Sequence, residues 1–261
     1  MRKRFFLLLL AATMLFASCS AKPDEEMYQS LVSRHEAYAC EKRAEIGFMM
    51  EASFRDDDSG KAGVLYYMNG EARYDSASET AWQSFTATLL AATYKAEEYY
   101  ADGKKTHIES GEVLELEMSA DDFFGAFPYR TVPLPAFSEV IALTEERNGD
   151  ATLYTLTASS GQKELIEEVW KLNLYELAGI TVPNTEKESY GDVTYTFSVK
   201  DGKVQSLMVK LAVSVYETPG YTLGYTPKDE DYRLDLTVTA QISVRNTGET
   251  VEIPVYSEVE G

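Results

Sequence analysis

Apolar residues recur along this chain with two different periods, and the changes of period mark out its elements. From Asp24 to about His35, Met27, Leu31 and Val32 stand at helical spacing behind Asp24, Glu25 and Glu26, whose negative charge suits the start of a helix. The period then shortens to two: Ile46, Phe48, Met50, Ala52 and Phe54 alternate with Gly47, Met49, Glu51, Ser53 and Arg55. That alternation predicts a strand with one buried face. Asp56 to Gly60 predicts a turn into a second strand, Val64 to Met68, and Asn69-Gly70 predicts a tight hairpin into a third, near Glu71 to Asp75.

A long Thr-, Tyr- and Leu-rich segment, Phe85 to Tyr100, follows, with further extended runs around Thr106 and Ile108, Val113 to Met118 and Val140 to Thr144. Ser119 to Phe127 reads as a short helix, and Asn148-Gly149 as the turn of a hairpin that returns through Ala151 to Thr157. Beyond Ser160 the helical period reappears in Leu165, Ile166, Val169 and Leu172. The last third alternates most clearly, through Val193 to Val199, Leu207 to Val215 and Leu234 to Val244.

Strict alternation gives each strand one wet and one dry face, as in antiparallel meanders and unlike buried parallel sheets. No glycine-rich loop joins a strand to a helix in the manner of a nucleotide-binding fold. No Pro-rich linker or fixed repeat divides the chain. The expectation is one α+β domain over residues 24–261: a strongly curved antiparallel sheet, a half-barrel, with two helices packed on its concave face.

Charge narrows the class of partner. The 261 residues hold 43 acidic and 24 basic side chains, a formal net charge of −19. Nucleic-acid binding needs a basic footprint, and this chain offers none. With 44% hydrophobic and 12% aromatic residues it has enough apolar surface to fold.

Arg2, Lys3 and Arg4 precede an apolar run from Phe5 to Phe16, which reads as a signal peptide over residues 1–18. Phe16-Ala17-Ser18-Cys19 resembles a bacterial lipobox, with Phe16 where that motif usually carries Leu, Val or Ile. The resemblance implies acylation of Cys19, a tether over residues 19–23, and a membrane anchor on the extracytoplasmic face. Secretion with cleavage after Ser20 is the alternative. Removing residues 1–18 takes three basic and no acidic side chains, so the mature charge becomes −22. Lipidated Cys19 would leave Cys40 without an internal disulfide partner.

Catalytic chemistry has little material. Neither a GxSxG elbow nor an HExxH helix occurs, and the expectation is a protein that is not an enzyme and takes no cofactor. His35 and Cys40 would lie about 140° apart on a continuous helix, so they do not form a thiol–base pair. A buried, inert Cys40 and a surface-exposed His107 are expected. Asp56 to Gly60 invites a calcium reading, but an EF-hand loop needs glycine at position six and glutamate at position twelve, where this chain has Lys61 and Tyr67. No metal site is expected. Tyr216 to Tyr232 is a long loop with Tyr221 and Tyr225 near its middle, either a lid or a loop packed on the sheet edge.

Four stretches in order carry a family resemblance: Glu98 to Lys105, Leu153 to Thr157 with Lys163 to Ile166, Tyr195 to Lys203, and Gly248 to Pro254. Together with the opening helix they resemble the lipoprotein-carrier fold of the LolA and LppX type, and its Gram-positive surface-lipoprotein relatives of unknown function. The resemblance implies an incomplete barrel that binds a lipid or another hydrophobic small molecule in an apolar groove. Its lining would come from Phe48, Met50, Phe54, Leu207, Val209, Leu211, Leu236 and Val238; the alternative reading of the same residues is plain core filling. The expected protein is a monomer held at the membrane by its N-terminal acyl anchor. The alternative is a cell-envelope module whose outer face or tyrosine loop binds a glycan or a protein.

Overall fold

The computed structural model describes residues 23–56, 59–89, 92–129, 132–159, 162–218 and 232–256. Eleven strands form one antiparallel sheet: β1 Arg43–Asp56, β2 Lys61–Asp75, β3 Thr80–Leu89, β4 Ala92–Ala101, β5 Lys104–Glu109, β6 Glu112–Glu117, β7 Val140–Asn148, β8 Ala151–Ala158, β9 Ser189–Lys200, β10 Lys203–Glu217 and β11 Tyr232–Thr247. Their order in space is β6-β5-β4-β3-β2-β1-β11-β10-β9-β8-β7. The chain therefore starts in the middle and meanders outward to β6. It then crosses to the opposite edge at β7 and returns inward until β11 pairs with β1. The sheet is open, with β6 and β7 at its two edges, and its class is the one that the alternation predicts.

Register explains why so many strands share one dry face. Paired residues across the sheet align Leu156, Tyr195, Val209, Ala240, Met50, Met68 and Ala87 in a single transverse row. A slip of one residue in any strand would turn its apolar set outward, so burial pins the register.

Helix α1, Glu25–Ala39, lies against this inner face. Asp24 caps it by accepting from the Met27 amide at 3.1 Å, and Tyr28, Leu31 and His35 form its buried stripe. The segment that joins the two sheet edges lies beside it. Ser119 caps the short helix α2, Ala120–Phe124, and Phe123 stacks on Tyr100 with ring centroids 4.5 Å apart. Beyond β8, the helical turn α3, Gln162–Glu164, widens into a π turn over Leu165–Val169, and α4, Leu174–Ala178, stops at Gly179 in the left-handed conformation. The single second helix expected from sequence is thus broken into short pieces. Of its predicted apolar face, Leu165, Ile166 and Val169 are buried in the main core cluster and Leu172 packs partly buried against it, while Trp170 and Leu174 join the cluster beside them.

Asn69-Gly70 does not turn the chain. Strand β2 runs straight through it, Gly70 pairing with Phe48 on one side and Phe85 on the other. A Cβ on Gly70 would lie 2.3 Å from the Ser84 carbonyl oxygen and 2.9 Å from the Phe48 ring. The glycine serves close packing within the sheet, and the local hairpin signal loses to the tertiary fit.

Candidate functional site

The inner face has two unlike halves. Over β8 to β11 and β1 it is covered by α1 and by the helical turns after β8. Met50, Leu207, Val209, Leu211, Leu236 and Val238 are all buried there, in one cluster with Leu31, Leu165, Ile166, Val169 and Trp170. Phe48 belongs to a second cluster and meets the Phe127 ring edge-on at 5.7 Å. Phe54 is half-buried at the rim, where its ring lies against Gly63. The eight sequence-derived lining positions are thus packed against the chain's own elements. Cys19, Tyr221 and Tyr225 lie outside the described residues.

Over β3 to β6 the same face is more open. Residues of the buried phase continue outward, yet Leu89 is 41% exposed, Leu114 53% and Leu116 41%. Register places Leu114 opposite His107 and Leu116 opposite Lys105, on the inner side of the last strand. Partly buried Met68, Phe85 and Tyr94 stand on the same side, in the rows nearer the sheet centre.

A polar group interrupts this wall. One transverse row runs Ile46, Ala72, Gln83, Glu98, His107, Leu114, apolar at both ends and polar in its middle. Glu98 is only 6% exposed and Gln83 8%. The Glu98 carboxylate accepts from Gln83 Nε2 at 2.6 Å and from His107 Nδ1 at 2.9 Å, and it pairs with Lys105 Nζ at 2.8 Å. Burial pushes the Glu98 carboxyl pKa up, but Lys105, with the hydrogen bonds of His107 and Gln83, outweighs burial and holds it below its ordinary value. The carboxylate is therefore ionised, and it fixes the orientation of three neighbours.

Two polar atoms beside it are left over. Gln83 Oε1 and the Tyr129 hydroxyl are buried without a hydrogen-bond partner among the described residues. Burial, then the charge of Glu98 and the neighbouring Tyr74, raise the Tyr129 phenol well above its usual pKa, so it stays a neutral O–H. Tyr129 is held in place by Tyr74, Phe123 and Phe124, with ring centroids 5.1 to 5.6 Å away.

Sequence reasoning missed this group. Its signal was present: Gln83, Glu98 and His107 each fall in the buried phase of a strand, where an apolar residue would be routine. The structure also corrects two expectations. His107 is half-buried in the Glu98 network and not a free surface residue, and Cys40, at the end of α1, is exposed and not buried. Among the described residues no cluster of three or more His, Cys, Asp or Glu is placed to hold a metal ion. No helix among them is long and apolar enough to cross a membrane.

No protein-family model matches the chain, and no curated protein matches it. Among solved structures it is similar to LprF from Mycobacterium bovis, at 10% identity and a TM-score of 0.45, over 90% of this chain and 99% of that one. It is similar more weakly to the ywiB protein from Bacillus subtilis, at 10% identity and a TM-score of 0.18, over 81% and 99%. Likenesses this distant carry neither a ligand nor an activity from one protein to another.

Proposed function

We propose that this chain is an extracytoplasmic binding protein and not an enzyme, tethered through acylated Cys19, that holds a lipid or similar hydrophobic small molecule against its inner face. The observation that carries the reading is the exposure of Leu89, Leu114 and Leu116 on a sheet face whose other half, over β8 to β11 and β1, is buried. Apolar surface left in water on such a face is stabilised when a ligand covers it, at about 25 cal/mol per Å². The half under α1 is already filled by the protein's own side chains, so the ligand's place in this reading is over β3 to β6. The fold supports it: among the described residues β6 is unpaired on its outer side, and a bound chain could enter there without unfolding the core.

The test is titration of the purified protein with a dansyl-labelled fatty acid, alongside native mass spectrometry of protein extracted from membranes. Saturable binding that weakens at least tenfold in Leu114→Glu, with an unchanged far-ultraviolet spectrum, supports the reading. No saturable binding and no co-purifying apolar molecule overturns it.

A further inference from the structure

We propose that the outer face of the sheet carries a second site, separate from the inner face, that binds a neutral saccharide. Residues 248–256 build it by lying across that face. The Gly248 amide donates to the Arg43 carbonyl at 2.9 Å, the Val251 carbonyl accepts from Arg43 Nε at 2.9 Å, and the Tyr256 ring reaches Tyr99 with centroids 5.6 Å apart. The segment thus spans the face from β1 to β4. Ile253, Pro254, Val255 and Tyr256 line one side of a cavity of about 420 Å³, a volume ordinary for small-molecule sites. Its other walls come from the strands: Tyr99, Thr106 and Glu115 share one outer row, and Arg43, Asp75 and Thr80 share the next.

One gap in this lining fits a hydroxyl. Arg43 Nη1 and Asp75 Oδ2 stand 3.7 Å apart, longer than the roughly 2.7–3.2 Å of an N–H···O bond. Each side chain is held by other partners, Arg43 through Nε on the Val251 carbonyl and Asp75 through Oδ1, which accepts from the Ala77 and Ser78 amides at 3.0 and 3.3 Å. Both line the cavity and stay partly exposed. One oxygen can therefore stand within hydrogen-bonding distance of both atoms, accepting from the guanidinium and donating to the carboxylate. A hydroxyl does both. The Ser78 and Thr80 hydroxyls, 2.9 Å from each other, extend the same chemistry along the wall.

The charges around the cavity favour a neutral occupant. Arg43 faces Asp75, and Lys104 pairs with Glu115 at 2.7 Å, so each of these cations is matched by an acid. An anion would meet Asp75, Asp102 and Glu115, and a cation would compete with Arg43 and Lys104 for the same carboxylates. Tyr99 and Tyr256 add two half-buried rings, tilted 53° to each other, as apolar faces for the C–H groups of a sugar ring. Hydroxyls carried on a C–H skeleton answer both parts of this lining.

The experiment is calorimetric titration of the full protein with cellobiose, maltose and chitobiose, and with digalacturonate as the charged comparison. At least one neutral disaccharide is expected to bind saturably, about tenfold more tightly than digalacturonate at pH 7. Tyr256→Ala and Asp75→Asn should each weaken that sugar about tenfold, the order of one hydrogen bond lost, while leaving the dansyl fatty acid unchanged. Tyr256 belongs to none of the core clusters, so its variant keeps the test standing even if Asp75→Asn unsettles the turn after β2. Saturable binding of none of the three, equally tight binding of digalacturonate, or sugar binding unchanged in both variants overturns the inference. The fatty acid reports the inner face separately, so either reading can fail without the other.

Discussion

The His35 ring donates from Nε2 to the Val132 carbonyl at 2.8 Å, and this bond ties the first helix to the segment that joins the two sheet edges. The ring also meets Phe197 edge-on at 5.7 Å, and its Nδ1 has no partner among the described residues. Burial pushes the His35 pKa down, against smaller opposing effects of Val132 and Glu36.

This makes α1 acid-sensitive. The unfolded chain takes up a proton near the ordinary imidazole value, and the folded chain resists until lower pH, so the unfolded state binds more protons in between. The contribution is full above that ordinary value and is lost as pH falls through the lowered one. Melting followed by circular dichroism between pH 8 and pH 5 should show a falling midpoint in wild type, by about 2–4 °C per kcal/mol lost. His35→Phe should flatten that dependence; an unchanged slope would show that other groups govern it.

Gly70 gives a test of the sheet itself. Because a Cβ would strike the Ser84 carbonyl, Gly70→Ala should lose about 3 kcal/mol in urea denaturation. Asn69→Ala, at an exposed strand position, should stay within about 0.5 kcal/mol of wild type. A hairpin turn at this dipeptide would make the asparagine matter as well.

The division of the inner face predicts a contrast in stability. Leu211→Ala, in the packed half, should cost about 2–5 kcal/mol. Leu114→Ala, half-exposed on the open side, should change stability by less than about 0.5 kcal/mol while weakening the dansyl fatty acid. Comparable losses at the two positions would mean that the face is not divided.

Lys105 compensates a buried charge. Lys105→Met should destabilise the fold at pH 7 by roughly 2 kcal/mol, less than a fully buried pair would, because the lysine is partly exposed. Adding Glu98→Gln should recover part of the loss. In wild type, the Glu98 contribution is present above the ordinary carboxyl value and fades as pH falls through its lowered pKa. Without Lys105 that acid-side loss should shrink or reverse, which urea midpoints at pH 7 and pH 4 would show.

Much of this architecture was legible in the chain. The alternation of Val193 to Val199, Leu207 to Val215 and Leu234 to Val244 specifies three strands with one dry face each, because a period of two has only one physical reading. Asp24 with Glu25 and Glu26 specifies the start of α1, since a helix N-terminus needs an acceptor and favours negative charge. These are local matters, decided within a few residues.

Three things were settled elsewhere. Gly70 reads as a turn residue until Phe48 and Ser84, distant in sequence, are brought against it. Whether Leu211 lines a groove or fills a core depends on Leu165 and Val169 arriving from another element, and Leu114 stays exposed because no other described element arrives over it. Gln83, Glu98 and His107 come from three strands, and they meet only because the meander sets their registers side by side. Periodicity says which side of a strand is dry; what lies across from that side is a property of the assembled sheet, because packing is decided between elements and not within them.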